Sequence, residues 1–211
     1  MKTDDLIQAL VADRDTRERF GPGALAGALG LGLAGSLLLY AVTLEPRDLS
    51  TALFQPRFDF KLIVALALAL AAVPIVGRLA RPDGQPGRAT LAVLAAPVLL
   101  AVGVLVELAV VDASAWRTRL IGENAVACLL CIPLLSAPIL AAVLLFLRKG
   151  APSRPDLAGV FAGLLGGGLG AFLYASHCPD DSPLFVAAWY PLGILVVTVA
   201  SWAAARSFVR W

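Results

Sequence analysis

The sequence predicts an all-α fold: a polytopic bundle of six transmembrane helices with a short cytoplasmic helix ahead of them. Three observations carry this reading. Of the 211 residues, 59% are hydrophobic and only 15% are charged, where soluble domains carry roughly 25%, and the mean hydropathy is +0.84. The apolar residues are gathered into six stretches, near 24–44, 61–80, 89–111, 125–147, 157–176 and 184–206. Each is close to the roughly 20 helical residues that cross a hydrocarbon core about 30 Å thick. Charges and turn formers collect in the breaks between them. Inside lipid a backbone has no water to bond to, so helices satisfy it and open strands do not.

Taken in order, residues 1–22 form an amphipathic cytoplasmic segment and 23–211 the six-helix domain. In the first segment Thr3 can cap a helix, and Asp4 and Asp5 sit where the helix dipole favours negative charge. Leu6, Ile7, Leu10 and Val11 then make one apolar stripe. That stripe can lie on the membrane or on the chain's own loops, or it can enter a groove on a partner protein. A membrane-lying helix is usually rich in Lys and Arg. Here Asp4, Asp5, Asp13, Asp15 and Glu18 match Lys2, Arg14, Arg17 and Arg19, a balance that suits a protein groove.

The spans are separated by Glu45-Pro46-Arg47-Asp48, by 81–88 (RPDGQPGR), by 148–156 (RKGAPSRPD) and by 177–183 (HCPDDSP). Pro74, Pro97, Pro133, Pro138 and Pro191 fall inside spans, where a kink is tolerated. Glycines recur at four-residue spacing, at Gly23 and Gly27 and at Gly159, Gly163 and Gly167, with Gly166 and Gly170 beside them. They lack the Lys-Ser/Thr ending of a phosphate loop, so close helix packing is their expected use.

Orientation follows from the cations. Lys2, Arg14, Arg17, Arg19, Arg78, Arg81, Arg88, Arg148, Lys149, Arg154, Arg206 and Arg210 fall on one side. Arg47, Arg57, Lys61, Arg117 and Arg119 fall on the other. The first set faces the cytoplasm, and six spans put both termini there. The first apolar run is of spanning length with no basic leader directly before it, so a cleavable signal peptide is not expected. A net charge of +2 gives no reason to expect direct nucleic-acid binding.

Topology brings the three cysteines to one level on the far side. Cys128 and Cys131 lie in the first two turns of span four, and Cys178 follows span five beside His177, the single histidine. A helix amino terminus favours the reactive thiolate. If spans four and five are neighbours, Cys178 can meet either thiol within disulfide distance. Two uses stay open: redox chemistry in an oxidising compartment, or transient binding of a soft heavy-metal ion by Cys128, Cys178 and His177. Cys131 is expected to be a plain small apolar residue. Glu107, near the same end of span three, is costly unless paired; it is expected to reach the interface or to pair with Arg117 or Arg119. No other ionisable residue is expected deep in a span, which argues against an ion pump. No resident cofactor is implied.

Three segments carry a resemblance: the amino terminus MKTDDLIQAL, the central RKGAPSRPDLAG, and YASHCPDDSPLFVAAWYPLGI, with Arg210-Trp211 at the close. Together they resemble the NrsF family of bacterial membrane anti-sigma factors. The resemblance implies a six-span protein of the bacterial inner membrane that holds an extracytoplasmic-function sigma factor inactive and is not an enzyme. The sigma-contacting element would be Asp4, Asp5, Leu6, Ile7, Leu10 and Val11. It further implies a membrane cysteine and a loop cysteine linked to sensing, matched by Cys128 and Cys178, with no clear counterpart for Cys131. The competing readings are a membrane thiol–disulfide oxidoreductase using Cys128 and Cys131 against a quinone, and a small transporter. Such oxidoreductases usually work with two cysteine pairs, and this chain has three cysteines.

Overall fold

The structure is a computed structural model and describes residues 22–209 together with Thr3 and Gln8. Thr3 and Gln8 are helical and exposed, so Thr3 lies within a helix rather than capping it. Asp4, Asp5, Leu6, Ile7, Leu10 and Val11 lie outside the described residues.

The described residues form α-helices and one 3₁₀ segment, with no strand among them. In chain order they are α1 (Pro22–Thr43), α2 (Leu49–Ala52), α3 (Pro56–Leu79), the 3₁₀ segment Gly87–Leu94, α4 (Ala95–Val110), α5 (Ala113–Ile121), α6 (Ala125–Gly150), α7 (Pro155–Ala175) and α8 (Pro183–Phe208). Six passes are long and apolar enough to cross a membrane: α1, α3, the 3₁₀ segment with α4, α6, α7 and α8.

Proline sets several of these starts. α1, α3, α7 and α8 all open on one, where the missing N–H would have had no helical partner and the fixed φ already suits a helix. α8 is also capped by Ser182, whose Oγ accepts from the Leu184 amide at 3.3 Å. The third pass departs from the expected continuous helix. Pro97 has no amide to give the Val93 carbonyl, and the chain ahead of it is wound as the tighter 3₁₀ form.

α7 is the central post. Of its apolar window 61% is buried, against 6% for the third pass, and it lies against α8, α3 and α6 while α1 rests on α6. Glycine makes those approaches close. A Cβ at Gly163 would sit 2.5 Å from Thr198 Cα, and one at Gly159 would sit 2.6 Å from Ala205 Cβ, both on α8. A Cβ at Gly168 would come within 3.0 Å of the Ala69 amide on α3, and one at Gly170 would collide with Ser136 Oγ on α6. The expectation of small-residue packing holds for this helix. It fails for Gly23 and Gly27, which face open space. α1 instead meets α6 at Gly32, where a Cβ would lie 2.7 Å from Ile139 Cα. Beside that contact the buried Ser36 hydroxyl donates to the Leu135 carbonyl at 2.7 Å. Ser201 on α8 likewise donates to the Gly159 carbonyl at 2.6 Å.

Two apolar clusters fill the interior. One joins Leu79, Ile139, Leu147 and Leu165. The other joins Cys128, Ile132, Leu135, Tyr174, Cys178, Phe185 and Tyr190.

Candidate functional site

Cys178 is placed by the way α7 ends. The amides of His177 and Cys178 both return to the Tyr174 carbonyl, at 3.0 and 3.1 Å, and Pro179 stops the turn from continuing. The chain reaches the cap of α8 at Ser182, so the loop is short and pinned at both ends. Cys128 stands in the first turn of α6, its amide bonded to the Asn124 carbonyl at 2.8 Å. Both thiols are 0% exposed, both are free, and both belong to the same cluster. Cys131 is half-buried at the rim of that cluster and is also free. The hydroxyls of Tyr174 and Tyr190 are buried there with no hydrogen-bond partner.

Cys128 is sealed in an apolar setting. Burial pushes the Cys178 thiol above its ordinary range, and the positive charge of Lys61 and the Asp180 amide offset this only in part.

The loop carrying Cys178 is tied to each of the other loops at its end of the bundle. Asp180 Oδ2 accepts from the amides of Glu123 and Asn124 at 3.1 and 3.0 Å, and from Asn124 Nδ2 at 3.0 Å. This approach requires Gly122, which has φ +60° and whose added Cβ would run into Phe185. Asp181 pairs with Arg47 at 2.8 Å and with Lys61 at 2.6 Å. Lys61 also donates to the Cys178 carbonyl at 2.6 Å. Both cations lie near the ring of Phe58, at 5.1 and 5.3 Å from its centroid. Glu107, 4% exposed, pairs with Arg57 at 3.0 Å and Arg119 at 2.7 Å, and accepts from the Ser182 hydroxyl at 3.2 Å.

Several sequence expectations are settled by these contacts. Glu107 is paired, with Arg119 as expected and with Arg57 in place of Arg117. Lys61, in the second turn of α3, is a further buried charge: it is 0% exposed. The signal that would have found it is Pro56, which starts α3 a turn earlier than the apolar run and so places Lys61 inside the helix. His177 does not join the thiols. Its Nδ1 meets the Glu45 carbonyl at 2.6 Å, and a carbonyl only accepts, so Nδ1 carries the proton. Among the described residues no group of three His, Cys, Asp or Glu side chains is set to hold a metal ion. The set Cys128, Cys178 and His177 is therefore not assembled here.

These features define a class: a bundle of six helices of membrane-crossing length whose interior polar centre joins loops to one another. The chain matches the family described as "Negative regulator of sigma F", NrsF, over residues 10–211, and it belongs to that family. It is 40% identical to the anti-sigma-F factor NrsF of Caulobacter vibrioides over 216 residues, spanning all of both chains. It is 37% identical to the probable anti-sigma-F factor NrsF of Azospira oryzae over 219 residues, again spanning both. No solved structure gives a significant match.

Proposed function

We propose that this chain is an anti-sigma factor of the bacterial inner membrane, with both termini in the cytoplasm. It holds an extracytoplasmic-function sigma factor inactive through its amino-terminal segment, and releases it when thiols on the opposite side react. The observation that carries the first part is whole-length similarity to two proteins named as anti-sigma-F factors. Six helices of crossing length and the uneven distribution of Lys and Arg support the topology. The division into a tail, 1–22, and a helical domain, 23–211, follows from it.

Support for sensing comes from where the thiols sit. The Cys178 carbonyl is bonded by Lys61 of α3, and neighbouring residues of its loop engage Arg47, Glu107 and the start of α6. Oxidation of the sulfur, or its capture by a heavy-metal ion, would enlarge a group that is fully buried. The strain falls on a loop that touches most of the bundle. Release then requires two states whose balance the thiols shift.

Two experiments test the two halves. The intact chain purified from membranes should bring down its sigma factor, and the chain lacking residues 1–20 should not; equal recovery would sink the docking assignment. Replacing Cys128 and Cys178 together with serine should abolish the transcriptional response to oxidant or heavy metal. An unchanged response would remove the sensing role and leave the anti-sigma role standing.

A further inference from the structure

Beside the thiol loop, and partly walled by it, lies an open cavity of about 420 Å³ lined by Phe54, Gln55, Pro56, Arg57, Arg119, Asp181 and Ser182. Two arginines, Arg57 and Arg119, and one carboxylate, Asp181, stand in its walls. Arg57 and Arg119 share the single carboxylate of Glu107, and Arg47 and Lys61 share that of Asp181. Each of these two carboxylates thus has two cationic partners. Glu45, Asp59 and Glu123 also lie in the surrounding segments, whereas Asp48, Asp112 and Asp180 each accept from backbone amides, those of Ser50, Ser114 and Asn124. Their charge is directed into turns and helix starts rather than toward the arginines.

The two arginines also keep donors in reserve. A guanidinium has five N–H donors in a fixed fork. Arg57 gives Nε and Nη2 to one oxygen of Glu107, and Arg119 gives Nη1 to the other. Their side chains remain 43% and 36% exposed, so the remaining donors are open to a ligand. Two forks held in register by one buried carboxylate are preorganised, and paired forks of this kind match the oxygens of a phosphate group.

We infer that this cavity is a binding site for a phosphate-type oxyanion, held between Arg57 and Arg119. The group is carried on a lipid headgroup or is free in solution; the recognition chemistry is the same. The site does not depend on the thiols, so it stands or falls apart from the sensing proposal.

The test uses the full chain with inorganic phosphate as the probe. Protein in phosphatidylcholine nanodiscs is titrated with phosphate while chloride holds the ionic strength constant. A saturable rise in melting temperature is expected. The midpoint should move to about tenfold higher phosphate in Arg57→Gln and in Arg119→Gln, the loss of roughly one charge-assisted hydrogen bond. In a second arm the same proteins are placed in equimolar phosphatidylcholine and phosphatidylglycerol without phosphate. If the headgroup is the source, the wild-type chain is stabilised here, the variants are not, and free phosphate adds nothing. Arg57→Lys guards against a folding defect: it keeps a cation for Glu107 but loses the fork, and should bind between the wild type and Arg57→Gln. The inference is overturned if the wild type and the glutamine variants respond alike in both arms, or if none responds in either.

Discussion

The buried ion pair makes an asymmetric prediction. Lys61 is 0% exposed and has two partners, Asp181 and the Cys178 carbonyl, whereas Asp181 is 11% exposed and has a second cation in Arg47. Asp181→Asn would leave the Lys61 ammonium buried without a counter-ion. Removing one partner of a buried pair costs about 3–5 kcal/mol. Arg47, at 20% exposed, recovers part of its loss through water and adds little to the sum. Lys61→Met removes the buried charge itself. Asp181 keeps Arg47, methionine fills the lysine stem's space, and the loss is that of a charged hydrogen bond, about 1.5–3 kcal/mol. Asp181→Asn should therefore be the more damaging by roughly 1–2 kcal/mol, and Lys61→Met should partly rescue it in the double variant. Thermal unfolding of the purified variants in nanodiscs reads the order directly. If Lys61→Met is as damaging as Asp181→Asn, or if the double variant is no more stable than Asp181→Asn, the lysine is not held as a charge and the reasoning fails.

Other predictions follow from the same contacts. Gly163→Ala would drive a methyl against Thr198 Cα and should cost about 1–3 kcal/mol by forcing α7 from α8. Gly27→Ala, which meets nothing within 4 Å, should cost nothing; equal melting temperatures for the two would contradict the packing. Tyr190→Phe removes a buried hydroxyl that has no partner, so its melting temperature should hold or rise slightly, and a clear fall would reveal a bond the structure does not contain. Asp112 caps α5, and its hydrogen bonds with Ser114 hold its carboxyl below the usual value of 3.8. A depressed folded value means that the cap's contribution is complete above pH 3.8 and is lost as pH falls below it. The protection of the Ser114 amide against hydrogen exchange, taken relative to the intrinsic rate at each pH, should thus fall only in acid, and Asp112→Asn, still a capping residue, should remove that dependence.

The pattern of long and short in this fold was legible because lipid solvation acts on whole segments. Six apolar runs predicted six passes, and each lies within a few residues of the observed helix. What escaped was whatever depended on a single residue changing the local geometry. Pro97 turns the entry to the third pass into a 3₁₀ segment, although the hydropathy there is unbroken. α5 has a polar face and nine residues, too short and too charged for a search tuned to spans. Gly23 and Gly27 carry the same spacing as Gly159 and Gly163, yet only the second pair faces a neighbour. A spacing motif states which residues share a helix face, and cannot state what lies opposite.

The candidate site divides along the same line. That Cys128, Cys178 and Glu107 gather at one end of the bundle could be read from the order of the helices alone, since position along a helix follows from its rise. The partners could not, because they lie on elements far apart in sequence: Arg47, from the loop after α1, and Lys61, from α3, reach Asp181 across more than a hundred residues of chain. Lys61 is instructive here. Counted as a flanking cation it supports the orientation, and in the structure it is buried against the backbone of the thiol loop. The two roles are compatible, because a lysine near the start of a long apolar helix can be withdrawn from water only when a carboxylate and a carbonyl wait for it. Asp181 and Cys178 supply both. In the proposed topology the cation counted as flanking the span is thus also the one bonded to the thiol loop, so orientation and site share a residue.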